Sequence, residues 1–409
     1  MKHIVNSLID NDLYTFSCQR FILNHYPHAE VEYTFFDRNK QIYPKGFADL
    51  LKEQIDGMAN VTLTDEEAEF MKAKCYYIPE WFWTFLKGFR FDPSEVSVSQ
   101  DEEGHLEVKI HGKWWRTIMW EMPILSSISE LMHILKGDIE QIEDEMEFAR
   151  AYAKAEDMIM NGVRFADMGT RRRLSFSHQD NVIKAFKKCQ ENHKDANGAF
   201  LGTSNCFLAM KYNLPMIGTM SHQIISFEEN MSGVHECNFA IMQKWSETYE
   251  GNLGIMLYDC FGDDVFFKNM SSKYAKLFDG LRIDSGSNQE QLEKIIEMYH
   301  RFGIDPRTKS VVFSNALTAK EAIELHKTVG GRVRDSYGIG TNLCCSFEDY
   351  GGVPSLPIKS MNIVIKLTKM RYSPKREWHD CVKLSCDKGK TLGNVEKCKY
   401  LQKVLGMTE

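Results

Sequence analysis

Three arginines in a row and a histidine among small polar residues are the parts of this sequence whose chemistry is simplest to name. Gly169-Thr170-Arg171-Arg172-Arg173 carries the three cations, and Arg282 opens a second loop, Arg282-Ile283-Asp284-Ser285-Gly286. Converging arginines suit bidentate capture of phosphate or carboxylate. On their own, three arginines are equally a solvated basic run. His222 follows Gly218-Thr219-Met220-Ser221, where it could be a nucleophile, a general base, a metal ligand or a structural residue. Asp259 and Asp284 could hold Mg²⁺ through water beside a polyphosphate, or cap helices. In Gly338-Ile339-Gly340-Thr341-Asn342, backbone N–H groups could close on an anion, or the glycines could simply permit a tight turn. Gly202-Thr203-Ser204-Asn205 offers hydroxyls and an amide to the next helix or to ligand hydroxyls. Ser314-Asn315-Ala316-Leu317-Thr318 is a further loop of the same kind.

These loops recur with a rhythm that dictates the elements around them. Beyond residue 160, short apolar strands end before Asp167, Gly202, Gly218, Asp259, Asp284, Ser314 and Tyr337, and several of the helices that follow open on caps, at Ser177 to Asp180 and Thr318 to Glu321. Seven βα units imply a parallel sheet, and without a Gly-rich dinucleotide fingerprint they favour closure into an irregular (β/α) barrel over an open sheet. In a barrel the loops at the carboxyl strand ends converge on one mouth. The flanks read differently. Asp12 is a candidate N-cap for a helix carrying Leu13, Phe16 and Phe21 that must stop before Pro27, Val31, Tyr33 and Phe35 alternate as a strand, and Thr64 to Glu67 is a capping box. From Val96 to Trp120 an alternating pattern with turns at Glu103-Gly104 and His111-Gly112 predicts antiparallel strands. In the tail, Ile363, Ile365 and Leu367 alternate and Val382-Lys383-Leu384-Ser385 is expected to answer them as a hairpin in the first domain's sheet. The division expected is an α+β domain over 1–125, an α/β barrel over 126–350, and a segment over 351–409 that returns to the first domain.

Composition narrows the partners. The 409 residues carry a net charge of −7, so a bulk polyanion is not the expected ligand. The first residues lack an uninterrupted apolar run of signal-peptide type, and no stretch approaches a membrane span, so a cytoplasmic location is expected. Eleven scattered cysteines without a CxxC pair read as free thiols rather than as a zinc ribbon or a disulfide scaffold. A non-catalytic nucleotide- or RNA-binding protein, using Arg171 to Arg173 and the aromatics Trp81-Phe82-Trp83, is the reading from another class.

Taken jointly and in order, Asn11-Asp12-Leu13-Tyr14, Tyr33-Thr34-Phe35-Phe36-Asp37-Arg38-Asn39, the five loops from Gly169 to Thr318, Lys383-Leu384-Ser385 and Gly389-Lys390-Thr391 identify a resemblance that runs from end to end. The chain resembles the nicotinate phosphoribosyltransferase family in its bacterial form. The resemblance implies transfer of phosphoribosyl from phosphoribosyl pyrophosphate to nicotinate, giving nicotinate mononucleotide and pyrophosphate in NAD salvage. It also implies ATP as co-substrate, hydrolysed through a phosphohistidine, Mg²⁺, and a homodimer with shared active sites. By the same resemblance His222 accepts the phosphoryl group, Arg171 and Arg282 contact base and phosphate, and Asn315, Gly340 and Thr341, with Gly338, grip the 5′-phosphate. Thr203, Ser204, Asn205, Ser285 and Gly286 join the substrate site, and Tyr14 reaches the base from the partner subunit. Met168 stands where the family more usually has Phe to stack on the pyridine ring, and a thioether can still lie on an aromatic face. Ser204 stands where related nicotinamide enzymes look to have Asp, which favours the acid over the amide. Nicotinamide and quinolinate phosphoribosyltransferases are the alternatives on a similar barrel.

Overall fold

The computed structural model describes residues 2–385 and 391–407; Cys386 and the pair Gly389-Lys390 lie outside the described residues. Two sheets organise the chain. The strands are β1 (Glu30–Asp37), β2 (Val96–Gln100), β3 (Leu106–Lys113), β4 (Arg164–Asp167), β5 (Ala199–Thr203), β6 (Ile255–Leu257), β7 (Gly280–Ile283), β8 (Ser310–Phe313), β9 (Arg334–Ile339), β10 (Ile363–Arg371) and β11 (His379–Asp380). The first sheet runs β11-β10-β1-β3-β2 and the second β5-β4-β9-β8-β7-β6. All pairings in the first are antiparallel and all in the second parallel.

In β1 the buried residues Val31, Tyr33 and Phe35 alternate with less buried ones, the pattern of a strand with one face on a core. β10 pairs with β1, Phe35 opposite Ile365 and Val31 opposite Met370, with a register shift between Glu32 and Tyr33, so this strand of the tail lies in the same sheet as β1. The helix Leu13–His25 ends before Pro27 as its sequence requires. The boxes at Thr64 with Glu67 and Thr318 with Glu321 both form.

Four local expectations are corrected. The seventh parallel strand, ending before Gly218, does not form. Pro215 has no N–H to give a ladder; instead Thr203 N donates to Pro215 O at 3.3 Å, Ile217 N to Thr203 O at 2.9 Å, and Thr219 Oγ1 to Ile255 O at 2.7 Å. This segment therefore spans the gap between the edge strands β5 and β6 with scattered bonds in place of a ladder. His111-Gly112 is no turn, because Gly112 lies within β3 opposite Val31. The helix Phe176–Asn192 is capped by Ser175, whose hydroxyl accepts from His178 N, two residues before the expected start. Val382 to Ser385 does not answer β10: β11 does, and Lys383 pairs with Leu392 while Leu384 N donates to Cys260 O at 3.0 Å. The tail is thereby bound to the barrel as well as to the first sheet.

Among the described residues ten cysteines are free and buried, and no helix is long and apolar enough to cross a membrane.

Candidate active site

A cavity of about 660 Å³ opens where the carboxyl ends of the parallel strands face the first sheet. The parallel strands contribute Met168, Arg171, Ser204, His222, Arg282 and Asp284 to it, and also Asn315, Gly338, Gly340 and Thr341. The antiparallel side contributes Tyr14, Arg38, Lys366 and Lys383. Scattered loops of the sequence thus meet in one place, as a barrel mouth requires.

At one end His222 begins the helix His222–Ser232. Its Nε2 lies 2.7 Å from Asp259 Oδ1 and 3.2 Å from Lys383 Nζ. Lys383 also donates to Asp259 Oδ2 at 3.0 Å, and Ser285 Oγ donates to the same oxygen at 2.8 Å. Asp284 Oδ2 stands 3.8 Å from His222, and its Oδ1 accepts from Ser314 Oγ at 2.9 Å. Burial, then the Lys383 charge, push the His222 imidazolium down, outweighing Asp259, so the ring is neutral at neutral pH. Burial by itself would raise Asp259, but His222 and Lys383 hold it well below the usual carboxylate range. With Nε2 engaged by Asp259, Nδ1 is the nitrogen available as a nucleophile.

His222, Asp259 and Asp284 offer three metal-ligand atoms close together. Asp259, the other carboxylate expected at Mg²⁺, already accepts from His222, Ser285 and the Lys383 ammonium. Asp284 lines the cavity, and Mg²⁺ is commonly held by one or two carboxylates together with substrate phosphates. The donor set fits an ion brought mainly by a polyphosphate, with Asp284 as the protein's contribution.

At the other end Arg171 sits between acids. Its Nη2 is 3.9 Å from Glu121 Oε1, and Tyr14 Oη donates to Glu121 Oε2 at 3.0 Å. Arg171 Nε is buried without a partner. Ser204 Oγ donates to Asp12 Oδ1 at 2.8 Å, so Asp12 precedes the helix Leu13–His25 without capping it through its side chain. Tyr14 lines the cavity of its own chain. The first sheet folds back over the barrel within one chain, through the tail bonds described above. Met168 passes close to two glycines: a Cβ at Gly338 would stand 2.6 Å from Met168 Sδ, and one at Gly340 2.7 Å from Met168 O.

Five expected site residues stand behind the wall. Thr203 Oγ1 donates to Asp167 Oδ2 at 2.7 Å and Asn205 Nδ2 to Asp10 Oδ1 at 2.7 Å. Ser285 and Asp259 brace His222, and Gly286 O accepts from Asn315 Nδ2 at 3.0 Å. These positions orient the lining residues and do not face the cavity. The arginine run also divides: Arg173 is fully buried, its guanidinium forked on Asp10 at 2.7 and 2.8 Å, whereas Arg172 lines the cavity and donates from Nε to Ile363 O at 2.9 Å. With Arg173 paired and Phe82 and Trp83 in the core, the nucleic-acid reading loses its basic and aromatic surface.

Sequence reasoning missed Asp12 and Glu121 as pocket walls, and Lys366, Lys383 and Arg38 as cations. Burial, then Arg171, push the Lys366 ammonium down to about 8, and burial, Arg171 and Arg38 push Arg172 down to about 9. At Lys366 the nearby Glu121 and Asp284 offset this only in part, and cations held in this way suit a bound anion. Asp12, Arg38 and Lys383 stand in the motifs that carry the resemblance, with no site role assigned to them there, and Lys366 is a charge inside the apolar alternation of β10.

Comparison with known proteins agrees with this geometry. Residues 163–409 match the nicotinate phosphoribosyltransferase (NAPRTase) family and residues 9–129 the nicotinate phosphoribosyltransferase (NAPRTase) N-terminal domain. A nicotinate phosphoribosyltransferase of Desulforapulum autotrophicum is 39% identical over 98% of this chain and 99% of its own, and one of Chromohalobacter salexigens is 36% identical over 99% of each. The crystal structure of nicotinate phosphoribosyltransferase from Porphyromonas gingivalis superposes with a TM-score of 0.90 at 37% identity, covering 99% of this chain and 100% of that one. With both parts matched and relatives alike over nearly their full length, the chain belongs to the nicotinate phosphoribosyltransferase family.

Proposed function

We propose that the cavity joins nicotinate to 5-phosphoribosyl 1-pyrophosphate, giving nicotinate mononucleotide and pyrophosphate, with ATP hydrolysis coupled through phosphorylation of His222. The observation that carries this reading is His222, held through Nε2 by Asp259, which Lys383 in turn bonds, in one cavity with the Tyr14, Met168 and Arg171 pocket. Transfer proceeds as the pyridine nitrogen's lone pair attacks the anomeric carbon while the bond to pyrophosphate breaks; no proton moves, so the protein must orient and stabilise charge. Tyr14 and Met168 flank the ring, and Arg171 takes its carboxylate. Asn315, Gly338, Gly340 and Thr341 receive the 5′-phosphate. Arg38, Arg172, Lys366 and Arg282 receive the pyrophosphate end, and Asp284 would help hold Mg²⁺ brought by the substrate, which would shield the departing charge. In the energy-coupling step, His222 Nδ1 attacks the terminal phosphorus of ATP, ADP leaves, and Lys383 neutralises part of the added charge.

A product assay with nicotinate, nicotinamide and quinolinate, each with and without ATP, tests the reading. Nicotinate mononucleotide as the main product, raised by ATP, supports it; equal or greater use of nicotinamide or quinolinate overturns it.

A further inference from the structure

The nicotinate carboxylate has to enter a pocket that already holds two acids, Asp12 and Glu121, both on the cavity wall beside Arg171. Glu121 is engaged from two sides, by Tyr14 Oη at 3.0 Å and Arg171 at 3.9 Å. Asp12 is buried, and its side chain accepts from neutral donors, Ser204 Oγ at 2.8 Å among them. The groups that face it are Tyr14 on its own helix, Asp167, Thr170 and Arg171 from the loop after β4, and Ser204 and Cys206 after β5. Arg171 is the one cation among those named. A bound carboxylate would therefore make three anions around a single guanidinium, at a site where water is largely excluded and like charges repel strongly.

We propose that Asp12 takes up a proton from solvent when nicotinate binds and, as a neutral acid, becomes a hydrogen-bond donor in the pocket, so that recognition of the carboxylate is linked to proton uptake. Burial, opposed by Ser204, Thr170 and Arg171, already lifts the free carboxyl to about 6, which makes it the group poised to respond. Asparagine reproduces the neutral form: its carbonyl accepts from Ser204 and its amide donates as the protonated acid would.

This inference rests on the placement of the nicotinate carboxylate at Arg171 proposed above. Calorimetric titration of nicotinate into the full chain, in buffers of different ionisation enthalpy, counts protons. At pH 7 the wild type should take up about one, and its affinity should fall towards tenfold per pH unit between pH 6.5 and 7.5. The Asp12→Asn variant should bind nicotinate with no proton uptake and a flat profile across that window, which lies below the Lys366 range near pH 8. Nicotinamide, as a neutral competitor, should show no slope with either protein. Zero uptake by the wild type, or an unchanged slope in Asp12→Asn, overturns the proposal. Arg171→Lys separates the two levels: if it leaves nicotinate affinity unchanged, the carboxylate placement fails and the inference falls with it. If it weakens nicotinate while Asp12→Asn keeps the wild-type slope, the inference alone fails.

Discussion

Three side chains decide what this site can discriminate and how it is energised. Arg171, with a buried nitrogen that lacks a partner, is expected to favour nicotinate over nicotinamide at least tenfold in kcat/KM, because losing a charge-assisted hydrogen bond costs about 1.5–3 kcal/mol. Arg171→Ala should erase most of that preference in parallel assays of the two bases. At His222 the sign of the pH dependence follows from its environment. Its pKa lies below the ordinary histidine value because burial and Lys383 disfavour the charged ring. Acid-labile ³²P incorporation from ATP should therefore stay level from pH 8 down to about 6.5 and fall only in more acid solution. In Lys383→Met the repulsion is gone, so whatever labelling remains should decline at a higher pH than in the wild type. His222→Ala should abolish labelling while slow ATP-independent transfer persists. Residual labelling in that variant at the wild-type level would assign the phosphate elsewhere.

Elements hold these residues through buried polar contacts that the sequence does not advertise. The fork of Arg173 on Asp10 ties the loop after β4 to the segment before the helix Leu13–His25, and Asn205 joins from the loop after β5. Removing one side of a fully buried pair leaves an uncompensated charge, so Arg173→Ala is expected to cost about 3–5 kcal/mol in urea unfolding. A loss below about 1 kcal/mol would show that the pair is dispensable. What was legible and what was not divides along the same line. Local rules found the βα rhythm, the boxes at Thr64 and Thr318 and the alternation of β1 and β10, since each depends on neighbours a few residues apart. They placed a strand before Gly218 where only the isolated bridge of Thr203 with Met216 forms, and put Thr203 and Asn205 in the cavity, although their partners Asp167 and Asp10 lie in distant segments. Asp12 read as a helix cap because N-cap chemistry is local; its bond to Ser204 joins residues 192 positions apart in the chain. The family resemblance, carried by whole loops in order, supplied what spacing alone left open at His222 and Arg171.

At the scale of the molecule, one chain brings Tyr14, Arg171, His222 and Lys383 to a single cavity. Mixtures of Tyr14→Ala and His222→Ala proteins should therefore show only the average activity of the two parents, even after subunit exchange or joint refolding. Recovery of about a quarter of wild-type sites would instead mean that Tyr14 acts across subunits. The route by which Lys383 arrives has a further consequence. Every barrel loop is synthesised before the segment that carries Lys383 and binds beside Cys260. A chain cut before residue 383 would therefore carry His222 and Asp259 without the ammonium that stands beside both.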